Sequence, residues 1–346
     1  METLSERKKR ILHAVVASHI KTADPVGSRT VARTYRMGLS SATIRNEMAD
    51  LEEMGYLEQP HTSAGRIPSQ KGYRYYVDHL MTESKLSEEE ELNIYRSLNA
   101  EKMREIEQII VHAVKVLASV TKQTSLIMGP QFQKSTFQQM RILPLDEKRG
   151  LVVLITDSGF IKNKVIKLNQ SLSPMELQQV VSYLNQKLYG LSIDQVTTTL
   201  INELKRDLFR RLEILEQAFI LLEESLREEQ QARVYLGGTT NILSQPEFKS
   251  VEKIHRMLSL FEQESLLLEI LEKNLTEDDS IVVKIGTENE YEGIHECSLI
   301  TATYKIKDRV LGTIGVLGPT RMDYRWIIAV LRCLVDKLNR TLSSGL

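Results

Sequence analysis

The sequence predicts an α+β protein of more than one domain, led by a small helical head that ends in a β-hairpin. Three observations predict it. The chain has 346 residues, more than a single hydrophobic core of ordinary size organises. Between Ser28 and Asp78, helix, turn, helix, hairpin and helix signals follow one another at close spacing. Beyond residue 135, short alternating runs bounded by turn residues are interleaved with long amphipathic stripes, the pattern of antiparallel sheets flanked by helices. Apolar residues make up 42% and charged residues 26%, so the chain can bury substantial cores without disulfides.

The head is justified element by element. Leu4, Ile11, Leu12, Val15 and His19 share one stripe and predict a helix over 5–21, with Thr3 and Glu6 at capping-box spacing. Asp24-Pro25-Val26-Gly27 breaks it. Ser28 caps a short helix to Tyr35, and Gly38 supplies a positive φ to the turn that follows. Ser40 or Ser41 caps a third helix, whose Ile44, Met48, Leu51 and Met54 face a core. Ala42, Asn46 and Ala49 face the opposite way, flanked by Arg45 and Glu53; Gly55 ends the helix. Tyr56–Gln59 and Arg66–Ile67 enclose a polar loop as a wing-like hairpin, and a helix over 70–81 turns Tyr73, Val77 and Leu80 inward.

This order points to duplex DNA. Small residues let a helix approach the floor of a major groove, where Asn pairs with adenine. Ser41, Thr43, Arg45 and Asn46 lie in the first turns of the third helix, where base edges are read. His61, Thr62, Ser63 and Arg66 at the hairpin can donate to phosphate or enter a minor groove, and Lys71 and Arg74 remain for the DNA backbone. A polar helix face alone is more often merely solvated; here it shares one side of the head with a basic hairpin. Residues 1–76 carry twelve Lys/Arg against eight Asp/Glu, whereas the rest carries 33 against 38, so the basic excess sits at the front.

The remainder reads as follows. Ser87 and Glu90 form a capping box in an acidic linker helix. A helix over 103–120 precedes a short strand at Leu126–Met128. A meander follows at 137–145, 151–156 and 161–168, with turns at 146–150 and 157–159. Helices are expected at 174–188, 193–206 and 210–229, then one long helix at 251–273. Strands are expected at 280–285, 298–304 and 310–317, and a last helix at 324–342.

Catalytic signatures are missing. GTIGVLGPT at Gly312–Thr320 sits in a strand and turn without the Lys-Ser/Thr of a phosphate loop. Ser5-x-x-Lys8 and Ser250-x-x-Lys253 fall on helix starts with no companion motif. Cys297 and Cys333 form no CxxC pair, and the seven histidines show no metal-ligand spacing. No enzyme activity, cofactor or metal is therefore expected. The amino-terminal stretch lacks the apolar core of a signal peptide, and no run reaches membrane-spanning length. A reducing cytoplasm and no membrane partner are the expectation. Tyr304, Thr320, Arg321, Asp323 and Tyr324 form a polar cluster open to three readings: an effector pocket, an interdomain contact, or a purely structural role.

Three stretches carry a family resemblance: GLSSATIRNEMADLEEMGYLEQPHTSAGRIPSQKGYRYYVD at Gly38–Asp78, VYLGGTTNILSQPEF at Val234–Phe248, and CSLITATYKIKDRVLGTIGVLGPTRMDY at Cys297–Tyr324. Together they resemble the heat-inducible transcription repressors of bacteria, the HrcA family. Ser69 stands where the family more often has Thr, a conservative change at a helix cap. The resemblance implies a winged helix-turn-helix over 1–85, then a linker helix and first part of a GAF-like domain over 86–134. It further implies an inserted dimerisation domain over 135–230, a three-stranded antiparallel sheet plus helices, and the rest of the GAF-like domain over 231–346. It also implies repression of chaperone operons by a homodimer on an inverted-repeat operator, supported by the chaperonin GroEL. The rival readings are a winged-helix regulator whose GAF-like domain senses a small effector through Arg321, Asp323 and Tyr324, an enzyme with an appended head, and a structural protein.

Overall fold

The computed structural model describes residues 4–62, 64–82, 84–98, 106–130, 136–146, 149–156, 161–167, 174–192, 195, 233–276, 278, 280–306 and 309–344. The chain is a mixed α/β protein that divides into two units. The first is built from 1–128, 234–305 and 312–341, the second from 129–233, 306–311 and 342–346.

The first unit begins with α1 (Glu6–Thr22). Its cap is Ser5 rather than Thr3: the Ser5 hydroxyl accepts the Lys8 N–H at 3.3 Å. Then come α2 (Ser28–Tyr35), a turn with Gly38 at φ 69°, and α3 (Ser41–Glu53). Ser40 caps α3 by accepting the Thr43 N–H at 3.0 Å. Ile11, Leu12, Val15, Val31, Ile44 and Leu51 are fully buried and bind the three helices into one core. A short ribbon of β1 (Leu57–Glu58) and β2 (Ile67–Pro68) pairs antiparallel, and a Val26–Arg66 bridge extends it. The expected helix over 70–81 is two pieces. α4 (Gln70–Tyr75) widens into a π-type turn over Tyr76–Leu80, where the Met81 N–H reaches back to the Tyr76 carbonyl at 2.8 Å. α5 (Glu88–Ser97) opens on the Ser87–Glu90 capping box, both halves formed.

α6 (Ile106–Thr121) and β3 (Thr124–Met128) lead in sequence to the second unit. There β4 (Phe137–Asp146), β5 (Arg149–Thr156) and β6 (Ile161–Lys167) form an antiparallel meander. One face buries Met140, Val152 and Leu154, and α7 (Pro174–Leu188) contributes buried Leu184 and Leu188. Asn185 clamps α7 to β4: its Oδ1 accepts the Met140 N–H at 2.7 Å, and its Nδ2 donates to the Met140 carbonyl at 3.0 Å. The turn at 157–159 and the helices expected at 193–206 and 210–229 lie outside the described residues.

The first unit resumes at β7 (Val234–Gly237). The expected long helix is α8 (Val251–Phe261) and α9 (Glu264–Glu272), broken at Gln263, whose backbone is non-helical. Buried Met257, Leu260, Leu267 and Leu271 keep helical spacing across the break, so periodicity hides it. β8 (Ile281–Ile285), β9 (Cys297–Ile306), β10 (Arg309–Pro319) and α10 (Tyr324–Ser344) complete the chain. The sheet order is β7-β3-β10-β9-β8. Alternation along β9 decides what covers each face. Cys297 points to α8, its Sγ 3.9 Å from the Met257 sulfur; Ser298 points to α10, its hydroxyl 2.7 Å from that of Tyr324.

Candidate nucleic-acid interface

The outward side of α3 is built by its cap and its core. Ser40 fixes the first turn, and buried Ile44, Met48 and Leu51 fix the rotation. That rotation leaves Ala42, Arg45 and Asn46 exposed, with Ser41 and Thr43 partly so. Thr43 also bonds Ser40 side chain to side chain at 2.9 Å. Neither Arg45 nor Asn46 makes a side-chain hydrogen bond or ion pair with another described residue.

α3 carries four acids, which would repel a polyanion, yet three are covered. Lys8 bridges Glu47 (2.9 Å) and Asp50 (2.7 Å), Arg7 reaches Glu47 (3.3 Å), and Arg66 holds Glu52 (2.7 Å). Hydrogen bonding to Lys8 lowers the Glu47 carboxyl below its ordinary value, and hydrogen bonding to Asp50 raises Lys8. Arg45 is left as the unpaired cation of that helix.

The hairpin residues divide. His61 and Thr62 are exposed at the tip, where the Gln59 amide closes the loop by donating to the carbonyls of Thr62 (3.0 Å) and Ala64 (3.1 Å). Ser63 lies outside the described residues. Arg66 is half-buried; besides Glu52 it exchanges both backbone bonds with Val26 (2.8 and 2.9 Å), so it fastens the hairpin to α3. Lys71 is exposed but donates to the Met54 carbonyl (2.8 Å) at the end of α3 and lies 4.4 Å over the Tyr56 ring.

Arg74 corrects an expectation. Rather than remaining free for DNA, its guanidinium binds Glu288, Asp78 (2.9 Å) and the Val283 carbonyl (2.6 Å). It sits on the inward side of the head, where these partners are, and hydrogen bonding to Glu288 raises its pKa further.

The polar cluster separates too. Arg321 joins head to body: it donates to the Ile20 carbonyl at the end of α1 (2.8 Å) and pairs with Glu247 (2.6 Å). Tyr324 is buried between the Ser298 hydroxyl and the Thr320 carbonyl, its ring 6.0 Å from Tyr73 of the head. Asp323 caps α10 through the Trp326 N–H (3.2 Å). Tyr304 is elsewhere, buried in the sheet with its hydroxyl donated to the Met128 carbonyl (2.8 Å).

Sequence reasoning missed Arg29, Arg33 and Arg36. All three are exposed and unpaired among the described residues. Arg29 and Arg33 stand four apart and share a face of α2, a spacing that was visible in the sequence. Among the described residues no group of three His, Cys, Asp or Glu could hold a metal, and no helix is long and apolar enough to cross a membrane.

α3 thus presents an exposed cation and amide on a capped helix, with three of its four acids paired. Comparison with known proteins gives the family. Residues 107–328 match the family model described as the HrcA protein C terminal domain. A heat-inducible transcription repressor HrcA of Natranaerobius thermophilus is 46% identical over 340 residues, spanning 98% of this chain and 97% of the relative. That of Desulforamulus reducens is 44% identical over 340 residues, again 98% and 97%. The chain belongs to the HrcA family of heat-inducible transcription repressors. Among solved structures, a crystal structure of a hypothetical protein shares the fold with a TM-score of 0.67 at 23% identity, over 99% of this chain and 100% of that one.

Proposed function

We propose that this chain represses heat-shock chaperone operons by binding an inverted-repeat operator as a homodimer. In this reading 1–85 is a winged helix-turn-helix whose recognition helix is α3, and the five-stranded sheet with its helices is a GAF-like domain. Ser41, Thr43, Arg45 and Asn46 meet base edges. His61, Thr62 and Ser63 act as the wing, and Arg29 and Arg33 contact phosphates. The exposed pair Arg45 and Asn46, on a helix three of whose four acids are paired with cations, carries the reading.

The second unit supports self-association. Leu143, Leu151 and Val165 are cross-strand neighbours, one row on the face opposite Val152 and Leu154. Leu143 is 49% and Val165 53% exposed, an apolar row that a second copy would cover. Two copies would fix the half-site spacing and produce a palindromic site. Support by the chaperonin GroEL rests on the family resemblance.

Footprinting on DNA upstream of chaperone operons tests the reading. Two symmetric protected half-sites are expected, extended in occupancy by added chaperonin. Uniform, sequence-independent protection would overturn it.

A further inference from the structure

We propose that Lys8 is a positioning residue for DNA recognition: without touching DNA, it offsets the two carboxylates that stand beside Asn46 on α3 and so keeps that face open to a polyanion. The proposal rests on the reading of α3 as the recognition helix. Glu47 follows Asn46 directly. Asp50 lies one turn further along, and side chains four apart on a helix stand about 5–6 Å from one another at Cβ. A bare carboxylate that close to Asn46 repels whatever phosphate Asn46 approaches, because charges are screened only beyond about 10 Å in 0.1 M salt.

Lys8 reaches both acids at once. Its Nζ donates to a Glu47 oxygen at 2.9 Å and to an Asp50 oxygen at 2.7 Å, and its side chain is 19% exposed. Among the described residues Lys8 is the one cation paired with Asp50, whereas Glu47 also has Arg7 at 3.3 Å. Hydrogen bonding to Asp50, then to Glu47, raises the Lys8 pKa, so the ammonium keeps its charge wherever the acids carry theirs.

Two features point to charge rather than anchorage. The rotation of α3 is already fixed by buried Ile44, Met48 and Leu51, which share one core with Ile11, Leu12 and Val15 of α1. An ion pair as exposed as that of Lys8 with Asp50 adds little to stability. Lys8 also stands in the first turn of α1, just inside the Ser5 cap, where the helix dipole disfavours a cation. Local preference opposes a lysine there; the carboxylates of α3, 39 and 42 residues away, explain it. The remaining acid, Glu53, ends α3 about 10 Å further along the axis than Asn46, away from the first turns where base edges are met.

The test is a titration of the footprinted inverted-repeat DNA with the full chain at several salt concentrations. It compares wild type, Lys8→Met, Glu47→Gln/Asp50→Asn and the triple variant that combines them, each checked for folding by urea unfolding. Lys8→Met should bind about three- to tenfold more weakly at roughly 0.1 M salt, and the gap should narrow as salt rises and screens the repulsion. Glu47→Gln/Asp50→Asn should bind at least as tightly as wild type. The triple variant should recover wild-type strength, which neither a lost anchor nor a lost phosphate contact permits. A gap that ignores salt, or a triple variant as weak as Lys8→Met, would overturn the proposal. Should Lys8→Met fail to fold, weaker binding by Glu47→Gln/Asp50→Asn than by wild type overturns it instead. Arg45→Ala run alongside separates the two levels. A wild-type-like Arg45→Ala removes the reading of α3 and this proposal with it; a weakened Arg45→Ala beside an undiminished Lys8→Met removes this proposal alone.

Discussion

The two sides of the head carry the same kinds of side chain in different states. Outward, Arg45 and Asn46 are exposed with no partner among the described residues. Inward, Arg74 and Gln70 are bonded to Glu288, Thr287 and His295. Both sides are basic and polar in sequence. The difference teaches that a cation in a basic module is a candidate for phosphate only while its charge is unmatched, and matching depends on residues more than two hundred positions away.

Substitutions sharpen that comparison. The largest effect is expected inward. Tyr73 is 2% exposed, bonded to His19 at 2.7 Å and packed on Tyr324. Tyr73→Ala should cost about 3–5 kcal/mol of stability in urea unfolding; an unchanged midpoint would break the claim that this side is core. Outward, Arg45→Ala should relax base preference at one position per half-site, at about 1–3 kcal/mol of DNA affinity, with stability within about 0.5 kcal/mol of wild type. Arg74→Ala should reverse that pattern, losing about 1–2 kcal/mol of stability while base preference, read by selection from random half-sites, stays as it was.

A further effect is a pH dependence. Burial, and then the Arg321 charge, lower the His19 pKa from 6.5 to about 4, opposed by Glu247 and Asp24. The folded state therefore keeps His19 neutral while the unfolded chain takes up the proton first. Stability should fall as pH drops from about 6.5 towards about 4 and level off below. His13, also lowered by burial and by Arg325, acts in the same direction. Thermal melts across this range should flatten in His19→Gln; an equal slope in that variant would remove His19 from the explanation.

Legibility in the sequence followed the range of the interactions. Ser40, Ile44, Met48 and Leu51 lie within one helix, so its rotation and its outward Arg45 and Asn46 were readable from spacing. The meander and the start of α10 were readable for the same reason, from alternation and from periodic apolar residues. The break at Gln263 was not, because the apolar stripe continues through it. Neither was the pairing of Arg74 with Glu288 or of Arg321 with the Ile20 carbonyl, contacts 214 and 301 residues apart. Asp78, four residues beyond Arg74, was a local hint of pairing, but the distant partners lay beyond the reach of spacing.

The most direct test is a side-by-side titration of one inverted-repeat DNA with the wild-type chain, Arg45→Ala and Arg74→Ala, each shown to be folded. Arg45→Ala should bind about tenfold to a hundredfold more weakly, and Arg74→Ala close to wild type. Equal binding by Arg45→Ala, or a larger loss in Arg74→Ala, would mean that the exposed side of α3 is not the side that meets DNA.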